Sequence, residues 1–115
     1  CDSYNANPTS MHLALESFTG IQADRKLVIL GDMLELGEKS EEEHIKLLND
    51  LQSHKIEKAL LVGPVFQKVS TKSGFKSFSD VNKLIDFLKR EPVKGNTIFI
   101  KGSRGLGLEK IYDLL

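Results

Sequence analysis

A single cysteine, Cys1, leaves this chain without an internal disulfide, and a cytoplasmic, reducing compartment is the simpler expectation. Net charge is missing as well. Sixteen Lys and Arg balance 16 Asp and Glu, so no bulk positive field draws in nucleic acid or an anionic membrane surface, and neither is expected as a partner. No apolar run approaches the roughly 20 residues of a membrane span, and no signal peptide is visible. The three histidines and one cysteine form no cluster with metal-ligand spacing, so no metal site is expected. No nucleophile–base pair, internal repeat, low-complexity tract or linker is readable.

What is present is the patterning of one α/β domain over residues 1–115. A chain of this length buries roughly two-thirds of its unfolded surface and needs no staple. Apolar residues at i, i+3, i+4 and i+7 predict helices through Met11, Ala14, Leu15 and Phe18, through Val81, Leu84, Ile85 and Leu88, and through Leu108, Ile111, Tyr112 and Leu115. Ile45, Leu48 and Leu51 fit the spacing less fully. Asn7-Pro8 reads as an N-cap followed by proline in the first turn, Ser40 and Glu43 as a capping box, Ser79-Asp80 as a further start, and Gly20 as a stop. Between these lie aliphatic runs, Leu27–Leu30, Ala59–Val62 and Thr97–Ile100, with a weaker strand over Phe75–Phe78. Runs this continuous are how strands covered on both faces read, and their alternation with helices predicts a mostly parallel sheet. The chain begins at Cys1, directly on a polar turn, and reads as a segment of a longer protein.

In such a sheet ligands bind beyond the carboxyl ends of the strands. Three polar segments are expected there. Asp2 to Asn7 precedes the first helix; Asn7 is explained by capping, whereas Asp2, Tyr4 and Asn5 exceed what a cap needs. Gly31 to Lys39 is long for a strand-to-helix connection, where roughly 2–6 residues are usual, and carries Asp32, Glu35 and Glu38. Lys101-Gly102-Ser103-Arg104-Gly105-Leu106-Gly107 joins two cations and a hydroxyl to three glycines at a helix start, a setting that favours a carboxylate or phosphate. Its glycine spacing is neither the dinucleotide fingerprint nor a P-loop. Two readings of it stand on the residues alone: an anion site, or a tight turn with a solvated lysine. Opposite charges on the last two segments could hold a zwitterion such as an amino acid or dipeptide. The Gly63-Pro64 strand end reads as bland, and His12, His44 and His54 as surface or half-buried residues.

These segments resemble the motif set of the Mur ligase family, in its D-alanyl-D-alanine-adding (MurF-type) branch. Asp2-x-Tyr4-Asn5-Ala6-Asn7-Pro8 resembles that branch's entry turn into the third domain. Leu30-Gly31-Asp32-Met33-Leu34-Glu35-Leu36-Gly37 resembles its second motif, with His44 where the family also carries a histidine, and Lys101-Gly102-Ser103-Arg104 its last. One departure is visible: Cys1 stands where the family usually has a further acidic residue. The resemblance covers essentially the whole chain. It implies a Rossmann-like three-layer α/β/α sandwich, the C-terminal domain of a three-domain enzyme whose other domains hold the UDP-sugar and ATP with Mg²⁺. It further implies that ATP phosphorylates the carboxylate of a UDP-N-acetylmuramoyl-tripeptide and that the amine of D-alanyl-D-alanine attacks the acyl phosphate, in bacterial cytoplasm. By that resemblance Asp2, Asn5 and Asn7 are expected at the nucleotide, and Asp32, Glu35, Lys101, Ser103 and Arg104 on the dipeptide side. The chain itself carries no phosphate cradle, so alone it is expected to be inactive. Two rivals remain: a receiver-like signalling module with Asp32 as phosphoacceptor, and a plain nucleotide-binding or interaction domain.

Overall fold

The computed structural model describes residues 6–115. Asp2, Tyr4 and Asn5 lie outside the described residues. Four strands, β1 (Lys26–Gly31), β2 (Ala59–Val62), β3 (Lys76–Phe78) and β4 (Thr97–Lys101), form one sheet in the order β3-β2-β1-β4, every neighbouring pair parallel. Alternation along β1 divides the core. Val28 and Leu30 point to one face with helices α1 (Pro8–Thr19), α2 (Ser40–Ser53) and α3 (Pro64–Val69). Leu27 and Ile29 point to the other, with α4 (Val81–Arg90) and a C-terminal 3-10 helix, Leu108–Leu114. The result is the expected three-layer α/β/α sandwich. Among the described residues no helix is long and apolar enough to cross a membrane.

Local chemistry explains most boundaries. The Asn7 side chain accepts the Ser10 N–H at 2.9 Å while the Ser10 hydroxyl accepts the Asn7 N–H at 3.1 Å, a reciprocal box that satisfies donors at the start of α1. Asp80 caps α4 by accepting the Lys83 N–H at 3.0 Å. At the other end of α1, the Lys26 ammonium donates to the carbonyls of Phe18 and Thr19, each at 3.0 Å. Because Lys26 opens β1, the C-terminus of α1 sits at the amino end of the sheet. Its N-terminus, with Asn7, therefore lies toward the carboxyl end.

Four expectations need correction. A short helix, α3, stands between β2 and β3 where no element was expected; six residues are too few to show a periodic stripe. The expected Ser40–Glu43 box is absent: a 3-10 turn, Gly37–Lys39, runs straight into α2, and no side chain caps that start. The buried stripe of α2 is His44, Leu47, Leu48 and Leu51, which leaves Ile45 exposed. The last helix is 3-10, so residues three apart eclipse; Leu108 and Ile111 are buried, while Tyr112 and Leu115 face solvent.

Candidate functional site

Strand order reverses between β1 and β4. The chain steps outward from β1 to β2 to β3, then returns across α4 to place β4 on the free side of β1. Loops leaving the carboxyl ends of these two neighbours turn to opposite faces, β1 toward α2 and β4 toward the C-terminal 3-10 helix. This is the crevice where open parallel sheets bind ligands. It brings together Gly31–Gly37 and Lys101–Gly105.

The two loops meet at their glycines. A Cβ on Gly102 would stand 2.8 Å from the Gly31 Cα, and one on Gly31 would stand 2.4 Å from a Leu106 methyl. Only hydrogen at Gly102 permits that backbone approach, whereas a Cβ at Gly31 would press on the side-chain ends of Leu106 and Leu108. Above it, Ser103 ties the loops twice: its N–H donates to the Asp32 carbonyl at 3.2 Å, and its hydroxyl accepts the Leu34 N–H at 2.9 Å. Lys101 and Ser103 are both buried, at 7% and 8% exposure, so the solvated-lysine reading of this turn fails.

Asp32 is more deeply placed than its motif suggests, at 1% exposure. One carboxylate oxygen accepts the Val65 N–H at 2.8 Å and the other the Phe66 N–H at 2.9 Å. These are orphan donors of the first turn of α3, where a negative charge also meets the positive end of the peptide dipoles. Gly63 makes room: its φ is +123°, and a Cβ there would lie 2.3–2.6 Å from the Asp32 carboxyl atoms. The strand end that reads as bland in sequence is thus the receptor for the buried carboxylate. The carboxylate points beneath the rim, not out of it.

His44 is the second buried polar group, fully covered and not half-exposed. Its Nε2 accepts the Met33 N–H at 3.0 Å, its Nδ1 lies 2.6 Å from the Ser40 carbonyl, and its ring meets Phe66 edge-on at 4.6 Å. An amide can only donate, so Nε2 carries no hydrogen and Nδ1 donates to Ser40. Nε2 is 3.7 Å from an Asp32 oxygen; with no hydrogen on Nε2 this is proximity and not an ion pair. The sequence did contain a signal for His44. Counted as a core position, it completes the i, i+3, i+4, i+7 stripe with Leu47, Leu48 and Leu51.

Glu35 is exposed on the same loop in left-handed backbone, φ +62°, two residues before Gly37 at φ +59°. Backbone of that kind in a residue other than glycine, asparagine or aspartate is uncommon and costs strain. Leu34, beside it, is 45% exposed on the rim. Arg104 begins a 3-10 turn, Arg104–Leu106, directly after Ser103. Asn7 is exposed at the mouth of α1, with its side-chain oxygen in the cap. An open depression of about 760 Å³ between Glu38, Glu41, Glu42, Ile45 and Val65 adjoins the loop. A larger one, about 930 Å³, lies among Lys26, Ala59 and Lys76 at the amino ends of the strands, the wrong end for this fold's ligand crevice.

Fold and rim together define a parallel α/β domain whose β1 and β4 loops are tied at the topological switch point, above a buried carboxylate. The family model described as "Mur ligase, glutamate ligase domain" matches residues 1–104, and the chain belongs to that family. A UDP-N-acetylmuramoyl-tripeptide–D-alanyl-D-alanine ligase of Rickettsia prowazekii is 38% identical over 98% of this chain and 26% of its own length. A crystal structure of MurF from Acinetobacter baumannii superposes with a TM-score of 0.77 at 31% identity, covering 98% of this chain and 26% of that one. The MurF ligase of Thermotoga maritima, solved in complex with ADP, superposes equally well at 25% identity. The chain thus spans about a quarter of the length of the relatives it matches.

Proposed function

We propose that this chain is the C-terminal, dipeptide-presenting part of a bacterial cytoplasmic ligase that joins D-alanyl-D-alanine to UDP-N-acetylmuramoyl-tripeptide. The observation that carries it is the union of the β1 and β4 loops through Ser103 at the switch point, together with the named activity of the relatives. Partners are the two substrates and the remaining domains of the same polypeptide. ATP and Mg²⁺ belong to those domains. This chain contributes the Asn7 end of α1, with Asp2 and Asn5 before it, to the nucleotide edge of the closed cleft.

The division of labour follows from charge and burial. Lys101 and Arg104, on the loop that follows β4, supply positive potential for the dipeptide carboxylate. Glu35, exposed on the facing loop, supplies an acceptor for its ammonium group. Asp32 supports the rim from below, holding the loop on α3 without touching the dipeptide. Binding of this type fixes the amine for attack on an acyl phosphate, with phosphate leaving as the peptide bond forms; the chain's contribution is orientation.

The test is steady-state kinetics of the full-length polypeptide. Arg104→Met and Glu35→Gln are expected to raise KM for D-alanyl-D-alanine while leaving KM for ATP near its starting value. Equal effects on both substrates would remove the dipeptide assignment. The receiver-like alternative gains no support. Its phosphoacceptor would be Asp32, whose two oxygens are taken by backbone donors in a position closed to solvent.

A further inference from the structure

We infer that His44 is a positioning residue for the dipeptide rim, acting through a single hydrogen bond that only its neutral, Nδ1-protonated form can accept; this rests on the rim being the dipeptide side of the cleft. Consecutive residues of the β1 loop are tied to three different elements. The Asp32 side chain is held by the start of α3, the Met33 N–H by His44 of α2, and the Leu34 N–H by Ser103 beyond β4. Three anchors in three residues hold the Asp32–Leu34 backbone in place against Ser103.

Of these anchors, His44 has the least packing justification. It occupies a core position of α2 in register with Leu47, Leu48 and Leu51, where leucine would fill the same stripe without burying a polar ring. An imidazole there is accounted for by what it accepts. Met33 is itself buried, at 1% exposure, so its N–H has no recourse to water once Nε2 is gone. The ring is oriented by contacts outside the loop: the Ser40 carbonyl of its own helix takes Nδ1–H, and the Phe66 ring meets it edge-on. Phe66 also donates its N–H to Asp32, so the His44 and Asp32 anchors share one residue. A hydrogen on Nε2 would set donor against donor at Met33.

The experiment uses the full-length polypeptide that contains this chain, with His44→Leu, His44→Gln and, as a rim reference, Ser103→Ala. A glutamine oxygen can reach the place of Nε2; leucine cannot accept. His44→Leu is expected to raise KM for D-alanyl-D-alanine about tenfold or more, as displaced positioning groups do. KM for ATP should stay within about twofold, and His44→Gln should recover most of the loss. If Ser103→Ala raises the dipeptide KM and His44→Leu does not, the role given to His44 is wrong. If neither variant moves it, the rim itself has been misassigned. Nitrogen-15 shifts of the labelled histidine ring give a readout that needs no turnover and no variant. They are expected to report Nδ1–H with a bare Nε2, and the opposite tautomer would overturn the inference even if His44→Leu failed to fold.

Discussion

Replacing Asp32 with alanine tests the buried carboxylate most directly. The substitution removes the acceptor of the Val65 and Phe66 N–H groups, 2.8 and 2.9 Å away, in a place with 1% exposure. A hydrogen bond to a charged partner contributes about 1.5–3 kcal/mol, and a buried donor left unmatched costs about 1–3 kcal/mol. The two bonds share one carboxylate, so their losses overlap, and a total near 3 kcal/mol is the expected cost. A domain of this size has about 5–15 kcal/mol in all, so the variant should fold with a visibly lower margin. With a urea slope of about 2 kcal/mol/M, the midpoint of unfolding should fall by about 1.5 M. Circular dichroism against urea measures it. Asp32→Asn keeps one acceptor oxygen and should fall between. A drop in the alanine variant below about 0.3 M, with an unchanged slope, would refute the idea that Asp32 holds α3 to the sheet.

Four further outcomes follow from the same contacts. Gly63→Ala places a Cβ within 2.3–2.6 Å of the Asp32 carboxyl at φ +123°, and should cost about 3 kcal/mol or more by the same urea assay; a neutral result would mean the turn can relax. Gly102→Ala pushes a Cβ to 2.8 Å from the Gly31 Cα and should part the two loops, read as faster amide exchange at Leu34 than in the parent. Asn7→Ala removes the acceptor for Ser10 N–H and should lower stability by about 1 kcal/mol, with Asn7→Asp close to the parent. The Lys46 ammonium titrates above its ordinary value because Glu43 accepts its hydrogen bond and Glu43 and Glu42 add negative charge; Glu43→Gln should bring that titration down, and an unmoved side-chain NMR titration would contradict it.

The strands were legible because burial on both faces writes itself as unbroken aliphatic runs. Ala59–Val62 is matched residue for residue, and Lys26–Gly31 and Thr97–Lys101 extend the expected runs by a residue or two at their ends. Helices α1 and α4 were legible for the complementary reason, since one apolar stripe and one capping residue suffice to mark each. The polar motifs were likewise visible as excess donors and acceptors that no cap required. What misled was the habit of treating a polar residue as an exposed one. His44 fell out of the α2 stripe, Asp32 was set at the mouth, and the Gly63 turn was passed over, although His44, Asp32 and Gly63 are buried against one another.

Local pattern by itself thus determined the class of fold, the position of the strand ends and the segments rich in ligand-binding chemistry. Those follow from periodicity and from capping, which act over a few neighbouring residues. Tertiary structure alone decided which polar groups stand on the rim and which are buried beneath it, holding its loops. Asp32 meets its donors 33 and 34 positions along the chain, and Leu34 meets Ser103 across 69. No local spacing records a partner that distant. Whether a carboxylate is a solvated contact or a buried strut depends on what the parallel crossovers bring to it.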